Sequence, residues 1–244
     1  MIVFVHGVPE TARLWDGVRA AIGMESLALT MPGFGCERPE GFGATKDDYV
    51  SWLVEELDRI VEPVHLVGHD WGAALTYRVA TAYGDQLASW SADVANVMHP
   101  DYVWHDLARF WQTPGAGESL LADQRATSVE IRAARFETLG VNHDDAVAMA
   151  GAVDETMGSC ILDLYRSALP NPYAHWRDKW GPTAAPGMVL WPSADPFGDE
   201  SMSIEVAAGL GAHHETLEGM GHWWPLQAPA QAAVVLASYI SSIN

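Results

Sequence analysis

The stretch that most constrains this chain is Val-His-Leu-Val-Gly-His-Asp-Trp-Gly-Ala-Ala, residues 64–74. Its apolar start predicts a short buried strand, and a helical pattern begins after the second glycine. Gly68 and Gly72 flank Asp70, so the chain turns sharply from strand to helix with a carboxylate at the turn. Glycine permits the close backbone approach and the strained dihedral angles that such a turn needs. An Asp in an ordinary strand-to-helix turn can also serve as a helix N-cap, which is the simpler interpretation.

The acidic residue at this turn indicates which kind of bond the protein attacks. No Gly-x-Ser-x-Gly occurs anywhere in the chain. A Ser that displaced a leaving group from saturated carbon would end as a stable ether, whereas an Asp forms an alkyl ester that water can hydrolyse. The segment resembles the nucleophile elbow of α/β-hydrolases, with Asp70 where esterases carry Ser. This resemblance implies an enzyme that opens C–X bonds of epoxides or alkyl halides, with Asp70 as the nucleophile.

The chain begins with an apolar strand that leads directly into His6-Gly7-Val8-Pro9. This segment resembles the His-Gly-x-Pro turn that follows the third strand in epoxide hydrolases and haloalkane dehalogenases. The resemblance implies an oxyanion hole formed by the backbone N–H groups of Val8 and Trp71. It also implies that the first two strands usual in such relatives are absent, or that the chain begins at a late start site.

Strand and helix signals alternate in two parts of the chain and are interrupted between them. We therefore predict an α/β protein with the α/β-hydrolase fold and a mostly parallel sheet of roughly six strands. Residues 1–95 and 181–244 are assigned to the core domain. Helical patterns dominate residues 96–180, where the resemblance implies a helical cap inserted over the active site.

Two later loops carry the residues that the resemblance assigns to a catalytic triad. Asp195 follows an apolar strand, and the glycine-flanked His222 follows the last predicted strand. By resemblance, His222 activates the water that cleaves the ester, and Asp195 orients His222 and stabilises the imidazolium. In some relatives the acid instead follows the strand after the elbow, a position that corresponds to Asp93. Asp195 is preferred, and Asp93 stays open as the acid, a helper or a bystander.

Tyrosines in the predicted cap bear on the choice of substrate. An epoxide oxygen leaves as an alkoxide and needs an acidic O–H donor, which epoxide hydrolases supply from cap tyrosines. The segment around Tyr165 resembles the one that carries such a tyrosine. A second tyrosine is usual, and Tyr102 and Tyr173 are equal candidates for it. An amphipathic tyrosine packed in a cap helix is the simpler interpretation of Tyr165.

Tryptophans bear on the alternative substrate, because a halide leaves as a stable anion that accepts hydrogen bonds from N–H donors. Haloalkane dehalogenases use the Trp after the nucleophile, here Trp71, together with a second Trp or an Asn. The Asn that many of them carry after His-Gly is Val8 here, which has no side-chain donor. Trp104 or Trp111 could replace it, so these three tryptophans are the predicted substrate-binding residues.

Composition limits the partners. The chain carries 13 basic and 32 acidic residues, a net charge of −19, which argues against nucleic acid and anionic membranes as partners. No apolar run is long enough for a membrane span, and no signal peptide is recognisable, so a cytoplasmic location is expected. Cys36 and Cys160 give no disulfide framework. No ligand spacing suggests a metal, and no cofactor is expected.

The predicted function is therefore hydrolysis of a small apolar substrate with water, most simply epoxide hydrolysis to vicinal diols. Haloalkane dehalogenation is the alternative. A non-catalytic ligand-binding protein on the same scaffold is the third interpretation, and it is disfavoured because Asp70, His222 and an acid are all present. The sequence indicates no oligomeric state.

Overall fold

A computed structural model describes residues 1–243 of the chain. Its centre is a six-stranded sheet in which every neighbouring pair of strands is parallel. The strands lie in the order β2-β1-β3-β4-β5-β6. Their bounds are β1 Ile2–Val5, β2 Ser26–Leu29, β3 Val64–Gly68, β4 Leu87–Ala92, β5 Gly187–Pro192 and β6 His213–Leu217. The predicted parallel sheet of six strands is confirmed.

The central strand β1 shows why these short apolar runs form a parallel sheet. All four of its residues are buried, because helices cover both faces of the sheet. Val3 and Val5 belong to the core on one face, and Ile2 and Phe4 belong to the core on the other. This alternation is the two-residue period of a strand, here with an apolar residue at every position.

Twelve α-helices surround this sheet within residues 1–243. Their bounds are α1 Asp16–Ile22, α2 Lys46–Asp58, α3 Trp71–Ala82, α4 Asp106–Gln112, α5 Ala116–Ala126, α6 Val129–Glu137, α7 His143–Ala152, α8 Glu155–Ser167, α9 Pro172–Trp176, α10 Glu200–Leu210, α11 Trp224–Gln227 and α12 Pro229–Ser242. Helices α2 and α3 contribute to the core on one face, and α1 and α12 contribute to the core on the other. Helix α2 begins with a capping box, in which Thr45 and Asp48 each accept a hydrogen bond from the other's backbone N–H.

The connection between β4 and β5 carries six of these helices, α4 to α9. All six lie within residues 96–180, the range predicted as a cap. Strand β4 ends at Ala92, and two residues later Val94 takes a left-handed backbone conformation with φ 38°. Asp93 therefore lies on the loop that leaves the sheet.

Two further expectations can be compared with the described residues. Cys36 and Cys160 are both free, and the first is exposed whereas the second is buried. Within residues 1–243, none of the helices combines the length and the hydrophobicity needed to cross a lipid bilayer.

Candidate active site

Five loops at one edge of the sheet bring the candidate residues together. Val8 follows β1, Asp70 follows β3, Asp93 follows β4, Asp195 follows β5 and His222 follows β6. Because the strands are parallel, all five loops leave the sheet at its carboxyl edge, where open α/β sheets form their sites. Residues separated by more than 200 positions in sequence thus line a single site.

The turn at Asp70 is strained. Asp70 has φ 51° and ψ −116°, a backbone conformation that residues other than glycine rarely adopt. The flanking glycines do not share this conformation. They provide close approach instead, since a Cβ on Gly72 would lie 2.3 Å from the carbonyl oxygen of Val5. Asp70 occupies the N-cap position of α3, but its side chain makes no capping hydrogen bond to that helix.

The Asp70 carboxylate has different neighbours at its two oxygens. Oδ1 accepts a hydrogen bond of 2.8 Å from the backbone N–H of Val8. Oδ2 lies 3.9 Å from Nε2 of His222. The N–H of Trp71, at the first position of α3, makes no hydrogen bond to this carboxylate within residues 1–243. One oxygen is therefore held by a backbone donor, and the other faces the imidazole.

His222 is paired with the late acid. Its Nδ1 lies 2.9 Å from Oδ2 of Asp195, and both side chains are buried. The other oxygen of Asp195 accepts the backbone N–H of Phe197 at 2.8 Å, which fixes the carboxylate plane. This geometry places the N–H of His222 on Nδ1 and leaves Nε2 directed at Asp70.

Burial and charge shift the pKa values of these groups in ways that matter for catalysis. Burial raises the pKa of Asp70 to about 6, because the charged form loses solvation. Burial also disfavours the charged form of His222, but the neighbouring Asp195 carboxylate outweighs it and raises the pKa of His222. The His222 imidazolium in turn holds the pKa of Asp195 below its usual value despite burial.

Asp93, the alternative acid, contacts a different imidazole. Its Oδ2 lies 2.5 Å from Nδ1 of His69 and accepts the indole N–H of Trp224 at 2.6 Å. Its Oδ1 accepts the backbone N–H of Asp70 at 2.9 Å. Asp93 is therefore bound to the elbow itself, and Asp195 is the carboxylate that contacts His222.

His69 lies between two buried carboxylates. On the side opposite Asp93, its Nε2 is 3.2 Å from Oε1 of Glu10. Glu10 also accepts the indole N–H of Trp223 at 2.6 Å and the backbone N–H of Gly7 at 2.9 Å. Burial disfavours charge on His69, but the two carboxylates outweigh it and raise the pKa of His69 well above its usual value. The pKa of Glu10 is lowered to about 2, because His69 outweighs the effect of burial.

The side chains of Glu10, His69 and His222 lie close enough together to be considered as metal ligands, with candidate ligand atoms within 4.8 Å of one another. A histidine that ligates a metal must be neutral. Both ring nitrogens of His69 instead face carboxylate oxygens, Nδ1 that of Asp93 and Nε2 that of Glu10, and these two charges favour its protonated form. The cluster is therefore described as a network of buried charged side chains.

A cavity of about 270 Å³ opens above Asp70 and His222. Tyr102 and Tyr165 both line it, whereas Tyr173 packs against Trp180 away from it, with ring centroids 5.6 Å apart. Burial, with the nearby Asp70 charge added, raises the pKa of both cavity tyrosines. They therefore remain protonated O–H donors at neutral pH.

The predicted tryptophans surround Tyr165. Its ring centroid lies 5.3 Å from that of Trp71, 5.2 Å from that of Trp104 and 4.8 Å from that of Trp111. The indole N–H of Trp104 donates to the carbonyl oxygen of Ala168 at 3.3 Å. The indole N–H of Trp111 is buried and has no partner within residues 1–243. The wall of the cavity is therefore aromatic, with an unused donor at Trp111.

Sequence reasoning missed the network behind the elbow. Glu10 lies one residue after the His-Gly-x-Pro turn, but nothing in its spacing indicated a contact with His69. Trp223 and Trp224 directly follow His222, and their indoles reach opposite sides of the network. Adjacency to a predicted catalytic histidine was the only available signal.

Comparisons with known proteins agree with this architecture. An AB hydrolase superfamily protein of Bacillus subtilis is 22% identical over an alignment of 272 positions, which covers 99% of this chain and 90% of that protein. Epoxide hydrolase A of Mycobacterium tuberculosis is 23% identical over an alignment of 298 positions, which covers 100% of this chain and 91% of that protein. The crystal structure of haloalkane dehalogenase DbeA from Bradyrhizobium elkanii superposes with a TM-score of 0.77 at 19% identity. The superposition covers 99% of this chain and 90% of the dehalogenase.

The family model gives the assignment. The model described as the alpha/beta hydrolase family matches residues 2–235, which is nearly the whole chain. The parallel sheet and the carboxyl-edge site are the architecture expected for such a match. This chain belongs to the alpha/beta hydrolase family.

Proposed function

We propose that this protein is an epoxide hydrolase that uses Asp70 as its nucleophile and forms an alkyl-enzyme ester. The observation that carries the proposal is the strained Asp70 at the elbow, held by the Val8 N–H on one oxygen and facing His222 with the other. A carboxylate in this position attacks saturated carbon and leaves a product that water can release.

In the first step, Oδ2 of Asp70 attacks an epoxide carbon and the C–O bond of the ring breaks. The leaving oxygen takes a proton from the hydroxyl of Tyr165 or Tyr102, both of which line the same cavity as Asp70. The second tyrosine is therefore assigned to Tyr102 and not to Tyr173. The step requires ionised Asp70 and protonated tyrosines, which coexist at neutral pH.

In the second step, Nε2 of His222 takes a proton from a water and the hydroxide attacks the carboxyl carbon of Asp70. The N–H groups of Val8 and Trp71 stabilise the oxyanion, and its collapse releases the diol and restores the Asp70 carboxylate. The Asp195 carboxylate stabilises the imidazolium that forms on His222. The proton on His222 then returns to the tyrosinate, so the cycle balances.

Residues 96–180 are proposed to act as the cap over this reaction, with residues 1–95 and 181–244 as the core. Tyr102, Trp104, Trp111 and Tyr165 all come from this segment and line the cavity above Asp70. Their rings pack against one another and against Trp71, which excludes bulk water from the reacting carbon.

Haloalkane dehalogenation is the second candidate function, and one observation favours it. Trp111 lines the cavity and its buried indole N–H has no partner within residues 1–243, so this donor is available to a leaving halide. The epoxide reading is preferred because two tyrosines line the cavity and Val8 replaces the side-chain donor expected after His-Gly.

A paired assay distinguishes epoxide hydrolysis from haloalkane dehalogenation. Purified protein is incubated with styrene oxide and, separately, with a primary alkyl bromide, and the release of diol and of bromide is measured. We expect diol formation that disappears in Asp70→Asn. Bromide release without diol formation would establish the dehalogenase instead, and saturable binding of both compounds with no turnover would establish a binding protein.

A further inference from the structure

The outer wall of the cavity carries an unexpected pair of charges. Helix α6 presents Arg132, Arg135 and Phe136 to the cavity, at the three- and four-residue spacing of one helix face. This is the same cavity that reaches Asp70 and His222. The two arginines therefore line the same space as the reacting groups.

Neither arginine is neutralised. Within residues 1–243, neither guanidinium lies within 4.0 Å of a carboxylate, although most other arginines of the chain form ion pairs. The Nε of Arg132 is buried without a hydrogen-bond partner, and its Nη1 makes only a long contact of 3.5 Å to the carbonyl oxygen of Val153. A buried donor without a partner is rare in folded proteins, so the Nε–H of Arg132 can donate to an acceptor that a ligand brings.

The charge of this wall is opposite to that of the protein. The chain has 32 acidic residues against 13 basic ones, yet Asp70 is the only carboxylate among the residues that line the cavity. Two of the few basic residues face it together. A guanidinium pair beside an apolar cavity is suited to a carboxylate, which accepts its N–H groups in a bidentate arrangement.

The helix that carries the arginines is connected to the reacting groups through aromatic contacts. Phe136 packs edge-on against Trp223 with ring centroids 5.3 Å apart, and Trp223 packs against His222 at 4.9 Å. Most of the other residues that line the cavity are apolar, and they include Leu120, Leu121 and Val153. A ligand that reaches from Asp70 to the arginines must therefore be an apolar chain.

We propose that the substrate is an apolar chain with the reactive carbon at one end and a carboxylate at the other, which Arg132 and Arg135 bind. This inference rests on the proposed function for the reactive end, but the carboxylate site is independent of the leaving group. The arginines are thus specificity-determining residues, and they take no part in bond making.

The test compares an octanoate that carries a terminal epoxide with its methyl ester, using wild type, Arg135→Met and the Arg132→Met/Arg135→Met double variant. Arg109→Met is the control, because Arg109 is an exposed arginine of helix α4, within the same residues 96–180, and does not line the cavity. We expect the double variant to lose about 10- to 100-fold in kcat/KM for the carboxylate and less than about twofold for the ester. Arg135 is exposed, so its single substitution checks the effect without disturbing the fold.

A binding experiment separates this inference from the proposed reaction. Calorimetric titration with octanoate, octanol and octylammonium needs no turnover. Tighter binding of octanoate in wild type, lost in the double variant and kept in Arg109→Met, supports the carboxylate site even if no epoxide is opened. Equal binding of the three compounds, or equal losses for the carboxylate and the ester in the kinetic comparison, would overturn it. Failure to open either epoxide, with octanoate selectivity intact, would refute only the proposed function.

Discussion

Two buried imidazoles lie side by side in this protein, with ring centroids 4.8 Å apart, and their surroundings give them different roles. His222 contacts one carboxylate, Asp195, through Nδ1 and directs Nε2 at the cavity and Asp70. His69 lies between two carboxylates, Asp93 and Glu10, and does not line the cavity above Asp70. We infer that His222 can exchange a proton with a bound water, whereas His69 is held as a cation.

The difference teaches that a histidine beside the nucleophile in sequence need not be the one that does chemistry. Through its two carboxylates, His69 links the backbone N–H of Asp70 to the backbone N–H of Gly7. It thereby ties the elbow to the turn that carries the Val8 N–H. We interpret His69 as a positioning residue and His222 as the general base, and the comparison can be broken in four ways.

The largest effect is expected from replacing each imidazole in turn. His222→Gln should reduce steady-state turnover by about 10²–10⁴-fold with little change in stability, because it removes only the base. His69→Gln should lower the free energy of unfolding by about 3–5 kcal/mol, because it leaves two buried carboxylates unpaired. Steady-state kinetics and urea unfolding of both variants check this. Equal losses of activity and of stability in the two would contradict the assignment.

Replacing Asp195 should mainly reduce activity, whereas replacing Asp93 should mainly reduce stability. Asp195→Asn should slow turnover by about 10²-fold or more, since it no longer stabilises the His222 imidazolium. Asp93→Asn should mainly destabilise the fold, because the amide has only one oxygen for the three donors that Asp93 now accepts. Thermal unfolding measured beside initial rates distinguishes these outcomes. A stable, inactive Asp93→Asn together with an active Asp195→Asn would make Asp93 the acid.

A smaller effect is expected at the tyrosines. Tyr165→Phe should slow epoxide opening by about 10²-fold or less, because Tyr102 lines the same cavity and can donate in its place. Tyr102→Phe should add to this loss in the double variant. Tyr173→Phe is the matched control and should leave single-turnover rates unchanged, since it lies outside the cavity. A loss at Tyr173 comparable to that at Tyr165 would contradict the placement of the second donor.

The smallest effect concerns pH, to which the reaction rate and the stability should respond in different ways. Burial raises the pKa of Asp70 to about 6, so the single-turnover rate of attack should fall about tenfold per unit as pH drops below that value. Stability should respond differently. The pKa of His69 is raised in the folded state, so its contribution is complete below the unfolded value near 6.5 and is lost only as pH rises through the folded value.

Rate and unfolding profiles across the same pH range check this prediction. The stability difference between wild type and His69→Gln should therefore shrink at alkaline pH and persist at neutral pH. A difference that instead grew with rising pH would contradict a cationic His69.

Much of the fold and the site could be predicted because the relevant signals are local. The apolar run before Gly68 and the helical pattern after Gly72 define a strand, a turn and a helix without further information. The resemblance assigned Asp195 and His222 by their positions after later strands, and the parallel sheet brings them to one edge. These assignments depend on chain order, which sequence contains.

What could not be predicted depends on side chains that meet across the fold. Glu10 and Trp223 are 213 positions apart, and their hydrogen bond exists only because two loops converge behind the elbow. Tyr102 and Tyr173 looked equivalent in sequence, and only the packing of Tyr173 against Trp180 separates them. The direction of Arg132 and Arg135 likewise depends on how α6 sits over the cavity.

The central claim is that Asp70 forms a covalent ester that His222 is needed to cleave. The most direct measurement is the intact mass of His222→Gln after incubation with an epoxide that the wild type turns over, followed by peptide mapping. The account predicts a mass increase equal to the substrate, located on the peptide that contains Asp70 and absent from the Asp70→Asn/His222→Gln double variant. No adduct, or an adduct on a residue other than Asp70, would contradict it.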